Sequence, residues 1–95
     1  MPYRLTERAA VDLEDIFLEG ILTFGERQAQ KYQESLTRIF ELIAFLPEIG
    51  RSRDPGTGDR RRFVHGTHII YYRVHAGMIV VERIIYGPLI ADPWE

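Results

Sequence analysis

Three consecutive arginines, Arg60, Arg61 and Arg62, are the residues of this sequence best suited to chemistry. Guanidinium groups bind phosphates and carboxylates through paired hydrogen bonds. Side chains alternate between the two faces of a strand, so Arg60 and Arg62 share a face that Arg61 does not. Arg83 and Tyr86 stand near the end of the last strand-like segment. A metal-free ribonuclease needs such cations around the scissile phosphate, together with a general base and a general acid.

A second interpretation of the same arginines is structural. Asp54, Asp59 and Glu82 are carboxylates that could pair with them at the edge of a sheet. An arginine cluster could equally bind carboxylates on a partner protein. Residue types alone favour pairing with carboxylates over catalysis.

The sequence offers little for metal-dependent or nucleophilic chemistry. No pair among His65, His68 and His75 has the helical spacing of a zinc enzyme, and we expect them to be surface residues beside a turn. Cysteine is absent, and neither Ser35 nor Ser52 has a base beside it in the sequence. We therefore predict no metal site and no cofactor.

The hydrophobic pattern predicts the elements that position these residues. Two helices are expected at about 7–24 and 26–46, because apolar residues recur there at three- and four-residue steps. Their predicted apolar stripes consist of Ala10, Leu13, Phe17, Ile21 and Phe24 in the first helix, and of Ala29, Tyr32, Leu36, Ile39, Phe40, Ile43 and Leu46 in the second. The remaining predictions are a first strand at 2–5, a loop at 47–59, three strands at 61–65, 68–75 and 78–86, and an irregular tail at 87–95.

The expected architecture is α+β, in the order β-α-α-β-β-β. The short breaks between the last three strands indicate an antiparallel meander, with the helical hairpin packed on one face of a small antiparallel sheet. In the strand at 68–75, Ile70, Tyr72 and Val74 lie on one face. We expect residues 1–95 to form a single domain.

Charge and composition narrow the function. The chain of 95 residues has a net charge of −2, with five basic and nine acidic residues in 1–50 and seven and five in 51–95. An acidic chain is poorly suited to non-specific nucleic-acid binding, so no direct DNA binding is expected. The sequence has no signal peptide and no long apolar run, which predicts a cytoplasmic protein without a membrane span.

A series of motifs in order along the chain resembles the ParE toxins of bacterial toxin–antitoxin systems, within the RelE/ParE superfamily. The resemblance covers roughly residues 3–86. Its motifs are Leu5-Thr6, Ala9-Ala10, Asp12-Leu13-Glu14-Asp15-Ile16, Phe24-Gly25, Gln28-Ala29, Tyr32, Leu46-Pro47, Gly50-Arg51, Arg61-Arg62, His68-Ile69-Ile70-Tyr71-Tyr72-Arg73 and Glu82-Arg83-Ile84-Ile85.

The resemblance implies a toxin, and its two branches imply different activities. ParE-like members poison DNA gyrase through protein binding, whereas RelE-like members cleave messenger RNA on the ribosome. A RelE-like catalytic site would use Arg60, Arg62, Arg83 and Tyr86. At the positions where that site would have two further basic residues, this sequence has Ile69 and Pro88. The sequence GPLIADPWE stands where that site would have its terminal helix. We therefore predict a non-enzymatic gyrase inhibitor, with the ribonuclease as the alternative.

The resemblance also implies a ParD-like antitoxin whose C-terminal segment lies along the toxin, adding helix and strand contacts. An acidic antitoxin segment would suit the basic second half of the chain. A degenerate toxin that only binds its antitoxin is a third interpretation. The residues expected to contact the antitoxin or the target are Arg61, Arg62, Tyr71, Arg73, Arg83 and Tyr86; Phe17, Ile21 and Phe24 could join them, although core packing is the better explanation for these three.

Overall fold

The structure is a computed structural model, and it describes residues 1–52 and 60–89. The N-terminal part forms a short strand and two long helices, and the remainder forms four strands followed by one 3-10 turn. The elements in chain order are β1 (Tyr3–Leu5), α1 (Glu7–Phe24), α2 (Glu26–Phe45), β2 (Arg51–Ser52), β3 (Arg60–His65), β4 (His68–His75), β5 (Met78–Tyr86) and the 3-10 turn Gly87–Leu89.

The predicted helical hairpin is confirmed, and single residues set its ends. Thr6 caps α1, since its hydroxyl oxygen accepts a hydrogen bond from the backbone N–H of Ala9 at 3.1 Å. Gly25 alone connects the helices: its N–H donates to the carbonyl of Ile21, and its own carbonyl accepts from Ala29, each at 3.0 Å. Its φ of 89° is a conformation that glycine adopts without strain.

The sheet has five strands in the order β1-β5-β4-β3-β2. The pairs β3–β4 and β4–β5 are antiparallel, as the meander prediction required. Two details of the prediction were wrong. Strand β1 runs parallel to β5, with Tyr3 opposite Ile79 and Leu5 opposite Val81. Strand β2 falls inside the predicted loop at 47–59, where Arg51 pairs with Arg62 and Ser52 with Arg61.

Two further boundaries differ from the prediction. The tail begins with the 3-10 turn Gly87–Leu89 instead of being irregular throughout. The amide of Gly87 donates to the carbonyl of Thr67 at 2.7 Å, which ties this turn to the β3–β4 connection. The predicted carboxylate partners Asp54 and Asp59, and the tail beyond residue 89, lie outside the described residues.

The core lies between the helices and one face of the sheet. Leu36, Phe40 and Ile43 of α2 pack with Ile70 and Tyr72 of β4, and all five are nearly inaccessible to solvent. The predicted division of β4 into two faces is therefore correct. The opposite face, here called the outer face, carries Arg60, Arg62, Tyr71 and Arg73 at alternate positions of β3 and β4.

The predicted apolar stripe of α1 has the wrong phase. The helix buries Ala9 and Asp12, with Leu13 and Ile16 partly buried against the core. Ala10 and Phe24, both assigned to the stripe, are exposed, whereas Phe17 and Ile21 are half-buried. The reason is that α1 carries large apolar residues on two sides, so its sequence does not fix which side faces the sheet. In the described part of the chain, neither helix is long and apolar enough to cross a membrane.

Candidate functional site

The candidate site is a group of arginines around one carboxylate on the outer face, which we call the outer arginine cluster: Arg60, Arg62, Arg73 and Glu82. Arg60 lies directly across from Arg73 in the β3–β4 register. The Glu82 carboxylate lies 3.6 Å from Nε of Arg60 and 3.5 Å from Nε of Arg73. One acidic side chain thus stabilises two cations that would otherwise repel each other at adjacent positions of the sheet.

A β-bulge brings Glu82 to this position. Tyr72 pairs with Val81 and Tyr71 with Arg83, so Glu82 is the extra residue of β5. A bulge redirects the side chains beside it and interrupts the two-residue alternation. The pairing of the arginines with Glu82, expected from residue types, is therefore present, and it depends on this irregularity.

Arg62 is an exposed member of the outer arginine cluster. Its side chain is exposed, and its cross-strand partner Tyr71 is only 2% exposed. Within residues 1–52 and 60–89, no carboxylate forms an ion pair with Arg62, in contrast to Arg60 and Arg73. A guanidinium in this state can bind an external carboxylate without breaking an ion pair to any of the described residues.

Arg83 is engaged inside the molecule. Its Nε and one terminal nitrogen donate to the two carboxylate oxygens of Asp12 on α1, at 2.8 and 3.2 Å. The same carboxylate accepts the backbone N–H of Ile84 at 3.0 Å. Strand β1 pairs with β5 only as far as Val81. Beyond it, the Asp12 carboxylate accepts the β5 hydrogen bond that a neighbouring strand would otherwise accept.

Arg61 also forms internal bonds. One of its terminal nitrogens donates to the carbonyl of Gly50 at 2.8 Å, on the helix side of the sheet. The hydroxyl of Tyr72 donates to the carbonyl of Pro47 at 2.7 Å and accepts from the N–H of Gly50 at 2.9 Å. Burial raises the pKa of Tyr72 above its ordinary value of 10.0, so the hydroxyl keeps its proton and remains a donor. These bonds fix the segment that follows α2.

The residues of the alternative ribonuclease site do not all converge: Arg62 and Arg83 pair with Tyr71 from either side, but Tyr86 and Arg60 lie at different levels of the sheet. Tyr86 pairs with His68 at one end of β4, and Arg60 pairs with Arg73 five residues further along that strand. Five residues of strand correspond to about 16 Å. Arg83 is held by Asp12, so Arg62 is the one arginine of this set that is both exposed and without an ion pair among the described residues.

Sequence reasoning missed a polar cluster where α2 meets the β3–β4 turn. The hydroxyl of Tyr32 lies 2.7 Å from Nδ1 of His68 and donates to the carbonyl of His65 at 3.2 Å. Ser35 Oγ lies 2.9 Å from Nε2 of His65. His65 and His68 face each other across the strands, but both pack against α2 and are half-buried, which corrects the prediction that they are surface residues.

Burial shifts the pKa values of two members of this polar cluster, Tyr32 and His68. It lowers the pKa of His68 below 6.5, with His65 acting in the same direction and Glu19 opposing it. It raises the pKa of Tyr32 above 10.0. A neutral His68 and a protonated Tyr32 can therefore share the 2.7 Å hydrogen bond that joins α2 to the β3–β4 turn. No group of three potential ligands suited to a metal ion occurs in the part of the chain that the structure describes.

Comparison with known proteins places this fold in a family. The sequence matches the family model for the ParE toxin of the type II toxin–antitoxin system parDE over residues 3–87. It is 37% identical over 81 residues to Toxin ParE1 of Caulobacter vibrioides, a match that covers 85% of this chain and 84% of that protein. It is 31% identical over 91 residues to Toxin ParE1 of Mycobacterium tuberculosis, a match that covers 95% and 93%.

A solved structure supports the same assignment. The chromosomal ParDE toxin–antitoxin system from P. aeruginosa contains a chain with a TM-score of 0.68 and 26% sequence identity, covering 90% of this chain and 95% of that one. The family match, the identity to two ParE1 toxins and the shared fold all extend over most of the sequence. The chain therefore belongs to the ParE toxin family of type II toxin–antitoxin systems.

Proposed function

We propose that this toxin inhibits DNA gyrase by binding it, without catalysing a reaction, and that it acts in the cytoplasm. The proposal that the toxin is not an enzyme is supported by the contacts and positions of the candidate ribonuclease residues. Arg83 is bonded to a buried carboxylate, and Tyr86 lies about 16 Å from the level of Arg60 along the sheet. Phosphoryl chemistry requires cations that converge on one phosphate, and dispersed cations give little stabilisation of its transition state.

A pair of activity assays tests this proposal. The purified toxin is expected to inhibit ATP-dependent supercoiling of a relaxed plasmid by gyrase, and to leave messenger RNA intact on programmed ribosomes. Pre-incubation with the antitoxin should restore supercoiling. Cleavage of messenger RNA without gyrase inhibition would instead assign the RelE-like activity. Inactivity in both assays, with antitoxin binding retained, would identify a degenerate toxin.

The proposed antitoxin is ParD-like, and we assign the outer arginine cluster to its acidic segment. Arg60, Arg62 and Arg73 outnumber Glu82, so this surface is basic while the whole chain has a net charge of −2. Tyr86 is 44% exposed and could extend the contact along the end of β5. Arg61, Arg83 and Tyr71 contribute indirectly, because the first two make internal bonds and the third is buried.

Reversing the charge of Arg62 is expected to weaken antitoxin binding. Arg62→Glu should raise the Kd for the ParD-like antitoxin about tenfold at low salt, and less at high salt, because the contact is electrostatic and exposed. Isothermal titration at two salt concentrations measures both effects.

Arg27→Glu on the exposed surface of α2 is the matched control. It makes the same change of net charge away from the sheet, and its Kd should stay within about twofold of the wild type. Equal weakening by the two variants would mean that overall charge, and not the outer arginine cluster, governs binding.

A further inference from the structure

The solvent side of α1 carries an apolar stripe that the core does not use. Val11, Leu18 and Leu22 are 46%, 51% and 87% exposed. They are separated by seven and four residues, which aligns them along one side of a helix. The core-facing residues of α1, such as Ala9, Leu13 and Ile16, lie on the other side. We call Val11, Asp15, Leu18 and Leu22 the α1 stripe.

The spacing of the α1 stripe is that of a coiled-coil seam. Val11 and Leu18 stand at d positions and Leu22 at an a position, with Asp15 at the a position between them. From Val11 to Leu22 the stripe runs about 17 Å, or roughly three helical turns. An exposed aliphatic row of this length has the shape that another helix packs against.

The charges beside the α1 stripe determine which kind of partner helix could pack against it. Glu7, Glu14, Asp15 and Glu19 are all exposed, and the one basic residue of α1, Arg8, has its Nε 3.6 Å from Asp12. Two α1 helices of neighbouring copies would bring these carboxylates together, so the charges oppose self-association through this surface. They oppose an acidic antitoxin segment for the same reason.

We infer that the α1 stripe is a docking surface for a basic amphipathic helix of another protein. The apolar row would pack between aliphatic residues of that helix, and Asp15 would pair with a lysine or arginine at the facing position. This surface is on the opposite side of the molecule from the outer face of the sheet. A helix bound here could therefore remain in place while the antitoxin occupies the outer arginine cluster. The inference is independent of gyrase as the target.

Two designed peptides of three heptads test the inference with the full-length toxin. The basic peptide has leucine or isoleucine at a and d, one lysine at the central a position and lysines at e and g; the acidic peptide has glutamate in place of every lysine. Fluorescence anisotropy of the labelled peptides against increasing toxin concentration gives each Kd. The basic peptide is expected to bind at least about tenfold more tightly than the acidic one, and this preference should shrink as salt is added.

Variants then locate the binding. Leu18→Ser combined with Leu22→Ser should weaken binding of the basic peptide at least about tenfold, and Asp15→Lys should reverse the preference between the peptides. Val64→Ser is the matched control, because Val64 is also an exposed aliphatic residue, 65% exposed, on the sheet. These changes lie on the surface and should leave the folded structure, measured by circular dichroism, as in the wild type.

Three results would overturn the inference. The first is equal affinity for the basic and acidic peptides. The second is unchanged binding by the Leu18→Ser, Leu22→Ser double variant. The third is a wild-type dimer in sedimentation that this double variant converts to monomer, which would assign the α1 stripe to a second copy of the chain.

Discussion

Replacing Asp12 by alanine is expected to lower the free energy of unfolding by about 3 kcal/mol. The change leaves the Arg83 guanidinium without its carboxylate and the Ile84 N–H without an acceptor at a buried position. For a domain of this size, the loss corresponds to a fall in Tm of roughly 12–24 °C. Urea denaturation followed by circular dichroism, with thermal melts in parallel, measures both quantities.

Two companion variants separate the contributions of charge and hydrogen bond. Asp12→Asn keeps an oxygen that can accept from Ile84 but removes the charge that Arg83 needs, so it should cost about half as much as alanine. Glu14→Ala, an exposed carboxylate on the same helix, should change stability by no more than about 0.5 kcal/mol. If Asp12→Ala and Glu14→Ala were equally mild, Asp12 would not secure α1 to β5.

The Asp12–Arg83 pair also shows why a basic residue in a toxin sequence is weak evidence for an RNA or protein contact. Arg83 stood among the candidates for both catalysis and partner binding because of its type and its place near the end of β5. In the structure it fastens α1 to the part of β5 beyond β1. Loss of toxicity in an Arg83 variant would therefore need a stability measurement before it could be assigned to binding.

Local pattern was enough to predict the helices and the two faces of β4. Apolar spacing located α1 and α2 to within one residue. Thr6 and Gly25 lie at the helix ends, where threonine and glycine are favoured. The two-residue period placed Arg61 away from Arg60 and Arg62, and the structure agrees: Arg61 bonds Gly50 on the helix side, while Arg60 meets Glu82 on the outer face.

The features that the sequence did not reveal depend on contacts between distant residues. No glycine or proline in the sequence indicates the bulge at Glu82, which arises from the pairing of β5 with β4. The polar cluster of Tyr32, Ser35, His65 and His68 joins a helix to a turn about thirty residues later. Tyr32 was expected on the apolar stripe of α2, which accounts for its ring but not for the partners of its hydroxyl.

Gly50→Ala is expected to destabilise the fold by about 3 kcal/mol and to disturb the outer arginine cluster from the opposite face. A Cβ at this position would lie 2.7 Å from Cε1 of Tyr72 and 2.9 Å from the carbonyl oxygen of Arg62, and it would also overlap the Tyr72 hydroxyl. Tyr72 is fully buried and Arg62 presents backbone here, so neither can move aside cheaply. Displacing the Tyr72 hydroxyl would leave the Gly50 N–H or the Pro47 carbonyl without a partner.

A double-mutant cycle with Tyr72→Phe tests this mechanism. The phenylalanine variant removes the hydroxyl that the new methyl group would strike, so Gly50→Ala should cost at least about 1 kcal/mol less in that background than in the wild type. Because β2 pairs with β3 at Arg62, the single Gly50 variant should also weaken antitoxin binding under conditions where it is still folded. Additive costs in the cycle would instead place the strain on the Tyr72 ring carbon or the Arg62 carbonyl, both of which the phenylalanine variant keeps. A variant as stable as the wild type would show that the segment after α2 adjusts freely, and that Tyr72 and Arg61 do not fix it.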